Sequence, residues 1–382
     1  MTERLYENDG HLACHTATVV SCDKTDKGYT LVLDRTAFFP EGGGQPADSG
    51  MIGDAAVTDV QIKNGVIYHT VDKEFSVGET VECAVDMDVR FPRMQCHTGE
   101  HIVSGIIHEM YGYNNVGFHM GSKDITLDVD GELTEEQIRE IEYIANKAVA
   151  ENLPVKVTYP TGDEAESLDY RSKLEIVDGL RLVEIPGYDI CACCAPHVER
   201  TGEIGIIKIL EYIRYKGGMR LHMLCGFSAL ADYTAKFAEL SRVSELLSAP
   251  KDECADAVKH LQKQLADAEA KTKNTVRAVL LAEAERADET DGNMVFIEPR
   301  ELSSGLRDMV MAALPKCGGI CAAFAGEDGN YTFVMVSSSV DLRSASAEIR
   351  EALSAKCGGS PEMIQGNACA TAADIMEYFK NR

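Results

Sequence analysis

From residue 11 to about 88, apolar side chains come in short alternating runs separated by turn residues. Thr16-Ala-Thr-Val-Val20, Tyr29-Thr-Leu-Val-Leu33, Val66-Ile-Tyr-His-Thr-Val71 and Glu79-Thr-Val-Glu-Cys-Ala-Val85 read as strands of a small β-barrel or sandwich. The period lengthens from Arg93 to Gly112, where Ile102, Ile106 and Met110 recur at helical spacing. Strands then alternate with a helix: Ile125–Val129, a helix over Thr134–Glu151 opened by a Thr134/Gln137 capping box, Val155–Tyr159 and Leu182–Ile185. From 229 to 287 the chain is charged and almost without glycine. Leu230, Tyr233, Phe237, Leu240, Val243 and Leu247 make a loose apolar stripe. Val258, Leu261, Leu265, Ala268, Thr272, Thr275 and Val279 follow in steps of three and four, a heptad seam. Ser248-Ala-Pro250 interrupts this helical arm, and its seam is expected to pack on itself or on a second subunit. Met294–Ile297, Ile320–Phe324 and Tyr331–Val336 read as buried strands. Leu342–Lys356 and Thr371–Lys380 read as helices, and Cys357–Asn367 as a glycine-bearing loop between them.

At 382 residues the chain is long enough for two or three separate cores. The formal charge of -25 argues against a generally basic nucleic-acid surface but leaves room for a local patch. The 13 cysteines, in a large chain with no apolar leader, fit free thiols in a reducing cytoplasm better than a disulfide framework. No apolar run reaches the ~18 residues of a membrane span.

Two short clusters carry the chemistry. Cys96-His-Thr-Gly-Glu-His101 lies on the expected helix, and its His-x-x-x-His spacing sets His97 and His101 on one face. Cys193-Cys-Ala-Pro-His197 offers a thiol and an imidazole four residues apart. One His pair alone is usually structural, but two such pairs in one α+β segment point to a metal, and the N/S donor set to zinc. Cys191, Cys193 and Cys194 crowd one turn; Cys193 keeps the spacing of four. The same helix also spells His-x-x-Glu-His, an inverted zinc-peptidase pattern with Glu100 as base, which a Cys/His second pair fits poorly. Earlier in the chain, Glu41-Gly-Gly-Gly-Gln45 lets a backbone approach a ligand closely, with Gln45 as a two-way hydrogen-bonding group. No Gly-Lys-Ser/Thr follows, so this is not a phosphate loop.

In order and spacing, the glycine loop ending in Gln45-Pro-Ala-Asp-Ser-Gly50, the His-Thr-x-x-His helix, and Cys193-x-x-x-His197 with Thr201-Gly-Glu-Ile-Gly205 resemble the editing module of alanyl-tRNA synthetase. Gly117-Phe-His-Met-Gly121 and Lys216–Gly226 add to the likeness, and the tail is similar to that family's DHHA1-type domain. Because the sequence starts at the barrel, it resembles the long freestanding AlaX form that edits in trans.

The resemblance implies an α+β protein of four parts. These are a β-barrel over 1–90, a zinc-containing editing domain over 91–228, a coiled-coil arm over 229–290 and a DHHA1-like α/β domain over 291–382. It further implies zinc on His97, His101, Cys193 and His197, and substrate contact by Gln45 and Thr98, with His119 weaker. Deacylation of tRNA(Ala) mischarged with serine or glycine is the implied reaction. Arg90, Arg93, Lys208, Arg214, Lys216 and Arg220 flank the clusters as phosphate contacts. The implied setting is the cytoplasm, with no membrane and a homodimer through the arm or the C-terminal domain. A non-catalytic tRNA-binding or dimerising factor of the same fold is the alternative. It draws on Cys-Ala-Pro standing at 194–196 where the family has Gly-Gly-Thr.

Overall fold

The computed structural model describes residues 1–26, 28–161, 163–172 and 180–380. Its elements are a mixture of helices and several sheets, α+β in class. The chain divides into two compact units, Met1–Glu239 and Leu240–Arg382.

The first unit opens with β1 (Cys14–Thr25), β2 (Gly28–Leu33), β3 (Gly50–Ile52), β4 (Ala55–Lys63), β5 (Val66–Val71) and β6 (Thr80–Val85). Their pairing closes on itself in the order β1-β2-β5-β4-β3-β6, so no edge is left open. Period-two alternation sends Leu31, Leu33, Ile52, Val60, Ile67 and Val71 into the interior, with Phe38 filling the centre.

Helix α1 (Met87–Tyr111) follows at once, with the Asp86 side chain capping its N-terminus and Gly112 closing it in the left-handed region. It begins about two turns before the expected Arg93. Pro92 is the sixth residue of the helix, so the turn there forgoes one bond, that to the Asp88 carbonyl. The other face of α1 buries Ile102, Val103, Ile106 and Ile107. They pack with β7 (Asn115–Met120), β8 (Ile125–Val129) and α2 (Glu135–Glu151), whose Thr134/Gln137 capping box forms.

Besides a two-stranded pairing of Glu3–Arg4 with Arg35–Thr36, two small sheets complete the unit. One joins β9 (Lys156–Thr158), β10 (Leu182–Ile185) and β11 (Asp189–Ala192); the other runs β12-β13-β8-β7, with β12 (Ile207–Tyr215) and β13 (Gly218–Cys225). Helix α3 (Gly226–Leu247) leaves from the end of β13.

In the second unit, α4 (Cys254–Arg286) is followed by β14 (Met294–Glu298), α5 (Leu306–Ala313), β15 (Ile320–Glu327), β16 (Asn330–Ser337) and α6 (Leu342–Ala352). β17 (Ala355–Gly359), β18 (Met363–Ala368) and α7 (Ala372–Lys380) end the chain. The strands form one five-stranded sheet, β14-β15-β16-β18-β17.

Two expectations are corrected here. The glycine stretch Cys357–Asn367 is mostly a hairpin, β17 paired antiparallel with β18. Glycines conceal its strand pattern, yet Gly366 is demanded by the pairing, since a Cβ there would meet the Lys356 carbonyl at 2.0 Å. Helix α6 stops at Ala352 instead of Lys356, where Ser354 takes a positive φ of 46°. The arm's apolar seam, expected to pack on itself or on a second subunit, is exposed within the chain, Leu261 and Leu265 being 55% and 61% exposed. The face of α4 that does bury is a different one, Val276, Leu280 and Ala284, packed with Leu306, Met309 and Val310.

At the end of β14, burial and then the neighbouring Glu283 carboxylate push Glu298 up to about 7. An acid held protonated by the fold favours the native state at low pH. That contribution is lost as pH rises from the ordinary 4.5 through about 7. Glu298→Gln is therefore expected to raise the melting temperature at pH 8 and to leave it unchanged near pH 4.5. Thermal unfolding at the two pH values checks this, and an equal shift at both would contradict it.

Candidate metal centre and cavity

The i and i+4 positions of α1 bring His97 and His101 side by side, their rings 5.3 Å apart. The 193–197 turn adds the ring of His197, 4.8 Å from that of His97 and 4.6 Å from that of His101. Cys193 Sγ lies 3.6 Å from His97 Nε2 and 3.4 Å from His197 Nε2. The four ligand-type atoms all fall within 4.8 Å of one another. Of the three crowded thiols, Cys193 therefore enters the set. Cys194 is exposed, and Cys191 groups instead with His101 and Asp189.

Each imidazole is held from behind through its other nitrogen. Nδ1 of His97 meets Gln45 Oε1 at 2.8 Å, Nδ1 of His197 meets Thr98 Oγ1 at 3.0 Å, and Nδ1 of His101 meets Asp189 Oδ2 at 2.9 Å. With Nδ1 as donor in each pair, all three Nε2 atoms become acceptors, the arrangement found behind metal-bound histidines. Burial opposes ionisation of Cys193, but the imidazoles packed around it, His97 first, hold its thiol well below the usual value. Burial pushes His197 down to about 3, so its imidazole is neutral. For His101, burial is outweighed by the Cys191 charge and the Asp189 hydrogen bond, which raise it.

The glycine loop places Gln45. Gly42 and Gln45 exchange backbone hydrogen bonds of 3.1 and 3.0 Å around Gly43 (φ 59°) and Gly44 (φ 85°), a two-residue turn needing positive φ at both centres. The close approach made by this loop is to the protein itself. A Cβ on Gly44 would sit 2.2 Å from the Phe118 carbonyl, whereas one on Gly43 would meet nothing within 4 Å. Gly44→Ala should cost roughly 1–3 kcal/mol and displace Gln45, and Gly43→Asn should cost much less. Urea unfolding of the two variants checks this, and equal costs would contradict it.

A cavity of about 1100 Å³ opens over His97, His101 and Cys193. Its walls include Phe39, Gly42 and Gly43 on the barrel side, Glu100 and Phe118 beside His97, and residues 169–172 and 189–195 opposite. Acidic groups dominate its charge: Glu41, Glu100, Glu109, Asp169, Glu184 and Asp189 against Arg4 and Arg171. Glu100 is buried, and Asn115 Nδ2 donates to its Oε1 at 2.6 Å.

The other sequence-derived positions fall in varied places. Gln45 and Thr98 are fully buried behind the imidazoles, and Gln45 Nε2 has no partner among the described residues. His119 is exposed on β7. Arg90 is corrected: it is completely buried, bonded to Asp48 and the Gly10 and Ala37 carbonyls, and cannot reach a phosphate. Arg93 donates to the Ala47 carbonyl, Lys208 pairs with Glu142, Arg214 with Glu132 and Arg220 with Asp128, and Lys216 lies over Tyr215.

Three residues of the site were missed. Asp189 was readable in principle, as an acid two positions before Cys191 in a strand, where Asp is depleted. Arg171 and Arg181 carried no local signal. Arg181 is buried, and its guanidinium donates to the Cys193 carbonyl (2.6 Å), the Ala195 carbonyl (3.2 Å) and the Glu7 carbonyl (3.0 and 3.1 Å). The glycine-free turn is thus fixed by Arg181, while Ala195 packs into the barrel core.

Comparison with known proteins matches residues 11–89 to the family described as tRNA synthetases class II (A). It matches residues 180–221, which include Cys193 and His197, to the threonyl and alanyl tRNA synthetase second additional domain. Alanyl-tRNA editing protein AlaX-L of Pyrococcus horikoshii is 34% identical over 244 residues, 60% of either chain. The chain is similar to proteins named for alanyl-tRNA editing. Aarsd1 of Mus musculus, also named an alanyl-tRNA editing protein, is 26% identical across 95% of this chain and 93% of its own. The alanine–tRNA ligase of Natronomonas pharaonis is 30% identical over 96% of this chain but 42% of the ligase. The chain thus spans less than two thirds of AlaX-L and under half of that ligase. Among the described residues, no helix is long and apolar enough to cross a membrane.

Proposed function

We propose that this chain hydrolyses the ester joining serine or glycine to tRNA(Ala), acting in trans. The observation that carries the reading is the convergence of His97, His101, Cys193 and His197, the first three lining one cavity and Gln45 bonded behind His97, in a chain similar to proteins named for alanyl-tRNA editing. Three imidazole nitrogens and a thiolate, each imidazole anchored from behind, fit zinc better than other common metals. When bound, zinc supplies a positive centre for orienting the aminoacyl group or polarising its carbonyl.

The chain's own groups do the rest. The acidic lining suits an aminoacyl ester, whose free α-ammonium is positive, and disfavours entry of phosphates. Glu100, steadied by Asn115 and lining the cavity, is the carboxylate placed to take a proton from an attacking water. Gln45, whose buried Nε2 has no partner among the described residues, acts by fixing His97 through Oε1. Thr98 acts by fixing His197. A site that hydrogen-bonds the serine hydroxyl spares alanine because the analogue leaves those polar groups unpaired.

Arg93, Lys208, Arg214, Lys216 and Arg220 remain the proposed phosphate contacts, and the 291–382 segment a DHHA1-like tRNA-binding domain. The exposed seam of α3 and α4 supports the coiled-coil arm as the route to a homodimer. A cytoplasmic setting fits this role in translation. The peptidase reading draws no support from a Cys193 ligand where a carboxylate would stand.

The test is release of amino acid from Ser-, Gly- and Ala-tRNA(Ala) by purified protein. Release from the first or second, with Ala-tRNA(Ala) spared, is expected. Tight tRNA binding without release from any of the three would favour the non-catalytic factor.

A further inference from the structure

His101 differs from its two neighbours in what stands behind it. His97 and His197 lean on an amide oxygen and a hydroxyl, but His101 leans on a carboxylate, Asp189. That carboxylate is fully engaged: Oδ2 takes His101 Nδ1 at 2.9 Å and Oδ1 takes Arg171 Nε at 2.7 Å. Arg171 is itself tied down at three further points. Its Nη2 donates to Ser104 Oγ at 2.8 Å, less than one turn beyond His101 on α1. Its backbone N–H donates to the Ile190 carbonyl, and its carbonyl accepts from Ala192, stitching it to β11.

A second metal-type group shares His101. Alternation along β11 sets Asp189 and Cys191 on one face, and their ligand atoms lie within 4.8 Å of each other and of a His101 nitrogen. Left without a cation, Asp189 would be a hard oxygen ligand beside a thiol and an imidazole, a competing donor set. Arg171 occupies the Asp189 oxygen not used by His101 and places a fixed positive charge where a second cation would otherwise be drawn.

We propose that Arg171 is a positioning residue that keeps Asp189 an acceptor for His101 instead of a metal ligand, confining metal to the His97/His101/Cys193/His197 set. The inference rests on the reading that this set holds zinc. Guanidinium geometry supports it: one face engages Asp189 while another nitrogen reaches Ser104, so the strand, the helix and the ligand are set by one side chain.

The test uses full-length wild type, Arg171→Met, Arg171→Lys and the milder Ser104→Ala, loaded with zinc alone or cobalt(II) alone. Zinc retention against a chromogenic chelator and the visible cobalt spectrum are read, with thermal unfolding as the check on folding. Arg171→Met is expected to weaken retention by about 10–100-fold and to change the cobalt bands, or to bind a second equivalent. Arg171→Lys should recover most of the wild-type behaviour, and Ser104→Ala should fall between. Wild-type retention, stoichiometry and spectrum in a folded Arg171→Met would overturn the inference while leaving the zinc reading intact. Wild-type protein that holds no zinc would overturn both.

Discussion

Replacing Cys193 with Ala is expected to abolish tight zinc retention and to lower deacylation by at least about 100-fold, beyond what loss of an outer-shell partner costs. Cys193 is the sulfur within reach of two imidazoles, and its thiol is held well below the usual value by the histidines around it. Cys194→Ala should leave both properties near wild type, because that thiol is exposed and outside the four-atom set. The comparison isolates ligation from the crowding of thiols along 191–194. Elemental analysis and chelator competition on both variants measure it. Equal loss of metal in the two, or unchanged metal in Cys193→Ala, would contradict the ligand assignment. Far-UV circular dichroism should be unchanged, since the barrel strands are built from other residues and Cys193 only packs against the outside of their core.

The second large effect is expected at Arg181. Its guanidinium satisfies carbonyls of Cys193, Ala195 and Glu7, and its own carbonyl accepts from the Cys193 N–H at 3.1 Å. Arg181→Met keeps some of the apolar bulk but strands three carbonyls in largely buried surroundings. At about 1 kcal/mol or more for each, the first unit should lose roughly 3 kcal/mol. Zinc retention should weaken with it, because the turn bearing Cys193 and His197 loses its brace. Arg181→Lys should restore only part, one ammonium being unable to span the three carbonyls that the planar fork reaches. Urea unfolding measures the stability term, and a change below about 0.5 kcal/mol, typical of a surface substitution, would contradict it.

This brace also bears on the departure of 194–196 from the family's Gly-Gly-Thr. The Ala195 side chain has a place in the barrel core, and the backbone that glycines would leave free is held by an arginine. Thr98 Oγ1 accepts from the Val198 N–H at 3.3 Å, so a hydroxyl from α1 serves the end of the turn.

What the sequence made legible follows from locality. His97 and His101 are one helical turn apart, so their shared face needs no tertiary information, and the spacing of four singled out Cys193 for the same reason. The strands Val66–Val71, Ile125–Val129 and Leu182–Ile185 appear with the expected ends because their apolar pattern has a single period. Charge was the poorest guide. Arg90 looked like a phosphate contact beside the His helix, yet it is buried against Asp48, a partner 42 positions away. Arg171 and Arg181 gave no signal for the same reason: their partners lie in strands, turns and helices that meet only in the fold. The arm shows a further limit. A heptad seam announces an apolar face but not its occupant, and in α4 the buried face is Val276/Leu280/Ala284.

The central claim is that the four-ligand set under the cavity serves hydrolysis of mischarged tRNA(Ala). The most direct test follows one preparation through metal removal and zinc return, timing amino-acid release from Ser-tRNA(Ala), Gly-tRNA(Ala) and Ala-tRNA(Ala) at each stage. The account predicts release from the serine or glycine ester that falls on removal and returns with one zinc per chain, while the alanine ester stays intact. Release indifferent to metal, or alanine removed as fast as serine and glycine, would contradict it.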